Sequence, residues 1–541
     1  MNIKVTIEED DLWKKFSKNN INVFYKGYFY SHTISEIVDY ISSMPISEVE
    51  ELIKKIDGHF ALVIIHKDMT IVAVDKIRST PLFFTVIEDT FFIDCDPKRL
   101  ISNIQFVNDI NESAALEISM SGYTIGNKTI FDNLNALRAG EFAVFSANSF
   151  EVHQYFKYYS NDHDIQPDYL SMLTEITIKI FKKMLISIGN RQIIVPLSAG
   201  NDSRLVASIL KELGHENVIC YSYGLSGNFE AKTAKLIAEK LKYKWIFIPL
   251  VHQEEKKFYK SKEFEDYLKF SETFCSVPYI QSLSTVKYLK ESNIIEDDAV
   301  FINGNSGDFI SGLHLNYLFK NNIDSQNEVI RKEVILNSIF EKHFSLWGEL
   351  SSKVNTNLIK KSLWSEIEFQ CGSLNDKKND YSFYECSEFI DRQSKYVISG
   401  QRAYEFYGYE WRLPLWDNEY LDYWLKVPIN LKKNQSIYKE MLKMKNFGNV
   451  WSDEIPINHK TIKPRWLIPI RFLFKIPFAL FGQKGKKLWH EFETIFFYYW
   501  MDNTRMMSTI SYFRVLKSIL KKPQNHVSWQ AIDYIRNIHK K

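Results

Sequence analysis

At 541 residues this chain is too long for one hydrophobic core, and two or three domains are expected. A formal charge of +2 lacks the cationic surplus that neutralises phosphates, which excludes a nucleic-acid binder. Five scattered cysteines (Cys95, Cys220, Cys275, Cys371, Cys386) show no CxxC or metal-ligand spacing and read as buried reduced thiols. The start, MNIKVTIEEDDLWKK, is polar and acidic, unlike a signal peptide, and no uncharged run of about 18 residues offers a membrane span. A cytoplasmic protein is the expectation.

Residues from Asn22 to about Tyr158 read as mostly strand, with β-rich runs such as FALVIIHK, TIVAVDK and TFFIDC separated by turn residues. The segment Leu137–Phe156 reads as a closing hairpin, and the polar stretch YYSNDHDIQPD after it as a linker. The pattern then alternates. QIIVPLS, NVICYSYG and KWIFIPL are short apolar strands, separated by a helix from Ser203 to about Leu213 and by the amphipathic EAKTAKLIAEKLK. A further strand, AVFING, follows, and residues beyond about Asn322 read as mainly helical. This order predicts an α/β protein with a doubly wound parallel sheet and ligands at the carboxyl ends of its strands. The domains expected are 1–158, 165–445 and a helical extension, 446–541.

The chemistry concentrates in PLSAGNDSR, Pro196 to Arg204, which joins a buried strand to a helix. Backbone N–H groups in such a turn, aided by the helix dipole, form an anion site. The hydroxyls of Ser198 and Ser203 add donors, and Asp202 is suited to a magnesium ion bridging phosphates. No lysine closes the loop, so it is not the Walker pattern.

The loop resembles the SGGxDS motif of the PP-loop ATP pyrophosphatases, with Ala199 in place of the first glycine. Four further stretches, in order, are similar to segments of the glutamine-hydrolysing asparagine synthetases. YSYGLSGNFE resembles the strand end that lines the adenine pocket, which implies Tyr223 and Gly224 near adenine and Glu230 at the next helix start. AVFINGNSGDFISG resembles the SGEGxDE segment, which implies nucleotide contact at Gly304 and a second magnesium carboxylate at Asp308. Asn305 and Phe309 depart from that pattern, leaving the general base open. GYEWRLPLWD resembles SLExRxPFLD through Glu410, Arg412, Pro414 and Asp417, for which buried arginine–carboxylate pairing is the larger expectation. NQSIYKEMLK places Lys439 at the family's α-phosphate lysine.

The resemblance implies ATP and Mg2+, catalytic roles for Lys439, Asp202 and Asp308, and a metal site at Asp202 and Asp308. It also implies nucleotide contacts at Leu197, Ser198, Ala199, Gly200, Asn201, Asp202 and Ser203.

The first domain resembles the glutaminase (Ntn-hydrolase) domain of the same family through Gly27, Tyr30, Gly58, Phe60, Asp75, Pro81 and Leu82. That chemistry needs an amino-terminal cysteine, whereas this chain begins Met1–Asn2, and the asparagine and glutamate of NGEIYN are Lys26 and Tyr28. Glutamine hydrolysis is therefore not expected. Nitrogen would come from free ammonia, a separate donor protein, or an amine on the substrate, as in the similar β-lactam synthetases. The carboxylate would sit on a small molecule or a glycan, since the DKIRSTPLF and GNSGDFISG variants resemble proteins of bacterial surface-polysaccharide clusters. The rival reading is a non-catalytic nucleotide-binding scaffold. A third, RNA thiolation, is disfavoured by neutral charge and unpaired cysteines. The apolar stretch WLIPIRFLFKIPFALFG, 466–482, is expected to pack on the preceding domain, with a membrane-surface or partner contact as the alternative.

Overall fold

The computed structural model describes residues 2–43, 45, 48–67, 69–102, 106–146, 150–160, 168–320, 325–457, 466–501 and 506–540. Most of the linker expected at 158–168 lies outside them.

The amino-terminal strands are β1 (Asn2–Val5), β2 (Lys14–Lys18), β3 (Ile21–Phe29), β4 (Gly58–His66), β5 (Met69–Val74), β6 (Phe83–Ile87), β7 (Thr90–Asp94), β8 (Asn135–Ala136), β9 (Glu141–Ser146) and β10 (Phe150–Gln154). They form two sheets, ordered β1-β7-β6-β8 and β10-β9-β5-β4-β3-β2. The sheets face each other across Ala61, Val63, Val72, Val74, Phe84, Phe91, Ile93 and Phe145. Side chains alternate across a strand, so Phe83 and Ile87, beside Phe84, point to the opposite face and meet the helix Glu112–Ser121. On the far side of the six-stranded sheet, Leu62 and Ile64 pack under Ile37, Val38, Ile41, Leu52 and Ile53 of two further helices. The reading of this half as mostly strand therefore missed two outer helical layers. Glycine is required where β3 pairs with β4 at Gly27, which has φ +109 and where a Cβ would run into the His59 carbonyl oxygen.

The second half is built on a parallel sheet: β11 (Ile193–Pro196), β12 (Val218–Gly224), β13 (Lys244–Pro249), β14 (Val300–Ile302) and β15 (Glu410–Arg412), in the order β13-β12-β11-β14-β15. Ile193, Ile194 and Val195 are fully buried, as expected of a strand covered by helices on both faces. The strand order reverses between β11 and β14, which opens a crevice at their carboxyl ends. A fifth strand, β15, comes from the start of the GYEWRLPLWD segment, and its three residues are too few to show a period.

The rest of the described chain is mainly helical, including a π-helical stretch, Glu388–Val397, a form that often marks a functional site. The last helix, His526–Ile538, returns to the amino-terminal domain, where Trp529 and Ala531 join Ala115 and Ile118 in one core.

Candidate functional site

The loop after β11 is held from below. Leu197 N–H donates to the Tyr221 carbonyl (2.8 Å), and the Ser222 hydroxyl donates to the Leu197 carbonyl (2.7 Å). Ser198 N–H donates to Ser203 Oγ (3.0 Å), the two serine hydroxyls lie 3.0 Å apart, and Gly200 N–H donates to Ser198 Oγ (3.1 Å). The helix that follows, Asn201–Glu212, starts at Gly200 with no side-chain cap, so its first N–H groups face the crevice with their partial positive charge. Ala199 is fully buried and is not among the described residues with positive φ, so its methyl fits the turn. The Ala199 carbonyl accepts from buried Arg204 (3.1 Å), whose guanidinium also donates to the carbonyls of Ile455 and Pro456.

Asp202 and Asp308 meet across the strand reversal. Asp308 N–H donates to Asp202 Oδ2 (3.0 Å), and the Tyr438 hydroxyl donates to Asp202 Oδ1 (3.0 Å). The two loops touch through glycines: a Cβ on Gly304 would lie 2.8 Å from the Asp202 carbonyl carbon, and one on Gly307 would lie 2.5 Å from Asp202 Cγ. Gly304 is thus seen as the close-approach point of the two loops. Burial, then the charge of Asp308, pushes the Asp202 carboxyl up to about 7.

Behind Asp308 runs a charged chain. His314 Nε2 contacts Asp308 Oδ2 (3.1 Å), and His314 Nδ1 contacts Glu388 Oε1 (2.5 Å). An imidazole between two carboxylates donates from both nitrogens, which makes it a cation. Burial opposes that charge, but Glu388 and Asp308 outweigh it and raise the His314 pKa. Burial also opposes ionisation of Asp308, yet the hydrogen bond and charge of His314 prevail and hold its carboxyl below the usual range. Glu388 further accepts from Lys342 (2.9 Å) and Gln393 (3.1 Å).

The remaining expected residues lie around this centre. Tyr223 and Gly224 end β12; the Tyr223 hydroxyl accepts from Gln281 (3.2 Å), and Gly224 has φ +130. Glu230 is exposed in the first turn of its helix. Lys439 is exposed and donates to the Asn434 carbonyl (2.7 Å). Neighbouring residues on a helix point about 100° apart, so its neighbour Tyr438 is the one that faces Asp202. Tyr438, His314 and Glu388 were missed by sequence reasoning; Tyr438 lies inside NQSIYKEMLK and His314 six residues after Asp308, while Glu388 lies near no motif. Asn305 N–H donates to the Asn303 side chain (2.9 Å), and Phe309 is buried.

Of the two facing carboxylates Asp308 is paired with His314 while Asp202 has no cation against it, and such a pair suits magnesium, which takes one or two carboxylates and fills its shell with phosphate oxygens and water. Among the described residues no three His, Cys, Asp or Glu side chains form a ready cage. The uncapped helix start suits a phosphate-bearing substrate in the same crevice.

The junction between the two halves is closed by another buried network. Glu405 pairs with both Lys26 (2.7 Å) and Arg402 (2.7 Å) and accepts from Trp411 (2.9 Å). Tyr28 bonds His59 (2.5 Å), and Arg412, which pairs with Glu410, lies 4.1 Å from the Tyr28 ring centre. Asp417 accepts from Lys183 (2.8 Å). The Glu410, Arg412 and Asp417 positions are thus structural pairings at this junction. Pro414 is buried there too. Asp75 likewise holds a turn, accepting from Phe60 N–H and Ile77 N–H (both 2.8 Å). Glu405→Gln strands two buried cations, and unfolding titrations should show a loss of about 3 kcal/mol that Lys26→Met in the same chain partly restores.

The family described as asparagine synthase matches residues 188–445, and the glutamine amidotransferase domain matches residues 35–156. No curated protein matches the chain. Two solved structures are similar at a low level. One is a glutamine phosphoribosylpyrophosphate amidotransferase from B. subtilis complexed with ADP and GMP (9% identity, TM-score 0.19, 55% of this chain and 58% of that one). The other is described as the allosteric regulatory enzyme of purine biosynthesis (11% identity, TM-score 0.17, 54% and 56%). This chain spans little more than half the length of either, and neither likeness bears on the fold.

Proposed function

Because this chain belongs to the asparagine synthetase family, we propose that it adenylates a substrate carboxylate and then transfers ammonia or an amine to it, with no glutaminase activity of its own. The observation that carries this reading is the meeting of Asp202 and Asp308 at an uncapped helix start. ATP would bind as substrate, with its phosphates against residues 198–203 and its base toward Tyr223 and Gly224. A carboxylate oxygen attacks the α-phosphorus, and pyrophosphate departs within the loop's N–H groups. The amine then displaces AMP from the acyl carbon. Magnesium, held by Asp202 and Asp308, would neutralise phosphate charge. We assign the charge developing at the α-phosphate to Lys439, whose exposed side chain has room to leave the Asn434 carbonyl.

Two observations support the loss of glutaminase activity. Lys26 and Tyr28 are committed to the junction network. Burial pushes the Cys95 and Cys220 thiols up to about 12, far from a reactive thiolate. Pyrophosphate and AMP should form with ammonium or hydroxylamine as nitrogen source across a panel of carboxylates that includes aspartate and uronic acids. Glutamine should yield no glutamate. Accumulation of ADP and phosphate, or of glutamate, sinks the reading.

A further inference from the structure

The helices Leu467–Ala479 and Gly482–Phe496 form a hairpin that the chemistry above does not use. The first is apolar on nearly every side, yet it stands in solvent. Phe472 and Leu473 are 68% and 65% exposed, and at the turn Leu480 and Phe481 reach 83% and 65%. Buried Leu467, with Phe474 and Phe478, packs it against Trp489, Phe492 and Phe497 of the second helix and the turn after it. Expected packing on the preceding domain is therefore not what covers these side chains, and soluble monomers rarely leave such a contiguous patch bare.

Charge identifies the occupant. Between Glu454 and Glu491 the sequence has no carboxylate but eight lysines and arginines, in a chain whose total is only +2. Lys475, Lys484, Lys486 and Lys487 are exposed on the same hairpin as the apolar side chains. A second copy docking through this face would bring like charges together. An anionic bilayer satisfies both features, with lipid phosphates for the ammonium groups and the acyl boundary for the rings. At 13 residues the helix is about 20 Å long, short of the ~30 Å hydrocarbon core. No helix among the described residues is long and apolar enough to cross a membrane. The hairpin is suited to lying within the interface.

We propose that this hairpin is a peripheral anchor that inserts Phe472, Leu473, Leu480 and Phe481 into the surface of an anionic membrane. The full chain should sediment with vesicles of phosphatidylglycerol and phosphatidylcholine, much less with phosphatidylcholine alone, and less in about 0.5 M salt, where charges are screened within a few ångströms. Phe472→Ser with Leu480→Ser should lower the bound fraction at least about tenfold. Lys484→Gln, Lys486→Gln and Lys487→Gln should each cost roughly fivefold. These side chains face water, so an unchanged melting temperature serves as the folding control. The proposal is overturned if the wild type stays in the supernatant, or if the variants sediment as it does. It is equally overturned if Phe472→Ser with Leu480→Ser abolishes a concentration-dependent dimer, which would make a second copy the occupant.

Discussion

Replacing Asp202 with asparagine should lower pyrophosphate release by on the order of a thousandfold, the equivalent of several kcal/mol of lost transition-state stabilisation. The fold should not suffer. Asparagine is isosteric, and its amide can still accept from Asp308 N–H and donate to the Tyr438 oxygen. The charge it removes is one the folded protein tolerates poorly, since burial and Asp308 push this carboxyl from 3.8 up to about 7. The sign follows from proton binding: between those values the folded state holds more protons than the unfolded one, so metal-free stability falls as pH rises from 3.8 to about 7. Metal-free Asp202→Asn should therefore melt higher than the wild type at pH 8 and equal to it below pH 3.8. Magnesium should stabilise the wild type and leave the variant unchanged. A variant that melts lower at pH 8, or that keeps its rate, contradicts this account of Asp202.

Glu388→Gln should damage both fold and rate. Its carboxylate neutralises His314 and Lys342, and burial alone would raise its pKa; those charges instead hold it well below the usual carboxylate range. Glutamine leaves Lys342 without a carboxylate and His314 with Asp308 alone, at a cost of about 4 kcal/mol in unfolding titrations. Lost stability alone would not reveal a positioning role. That role predicts a higher magnesium concentration for half-maximal rate, because His314 would no longer be fixed against Asp308. Glu388→Asp should recover part of both effects. If magnesium half-saturation does not move while stability falls, Glu388 only holds the fold.

The parallel sheet was legible because its strands are short apolar runs alternating with amphipathic helices, and the strand reversal follows from that order. Asp202 and Asp308 were readable as the residues just past β11 and β14. Other features had no local signal. β15 is three residues long, and the outer helices of the first domain were hidden beside stronger strand patterns. The π-helix that turns Glu388 inward obeys neither the 3.6 nor the 2.0 period. His314, Glu388 and Lys342 meet only because separate helices converge, which spacing along one chain does not encode. Tyr438 was concealed by its neighbour: the motif pointed to Lys439, while the helix start after Asn434 and Gln435, both with positive φ, turns Tyr438 toward Asp202.

The central claim is that the 198–203 loop grips the pyrophosphate end of ATP. Calorimetric titration of the protein with magnesium pyrophosphate, followed by magnesium ATP, tests it most directly. The account predicts one site for each, mutual competition, and loss of both in Asp202→Asn. Absence of heat with either ligand, or ATP binding that pyrophosphate does not displace, would contradict it.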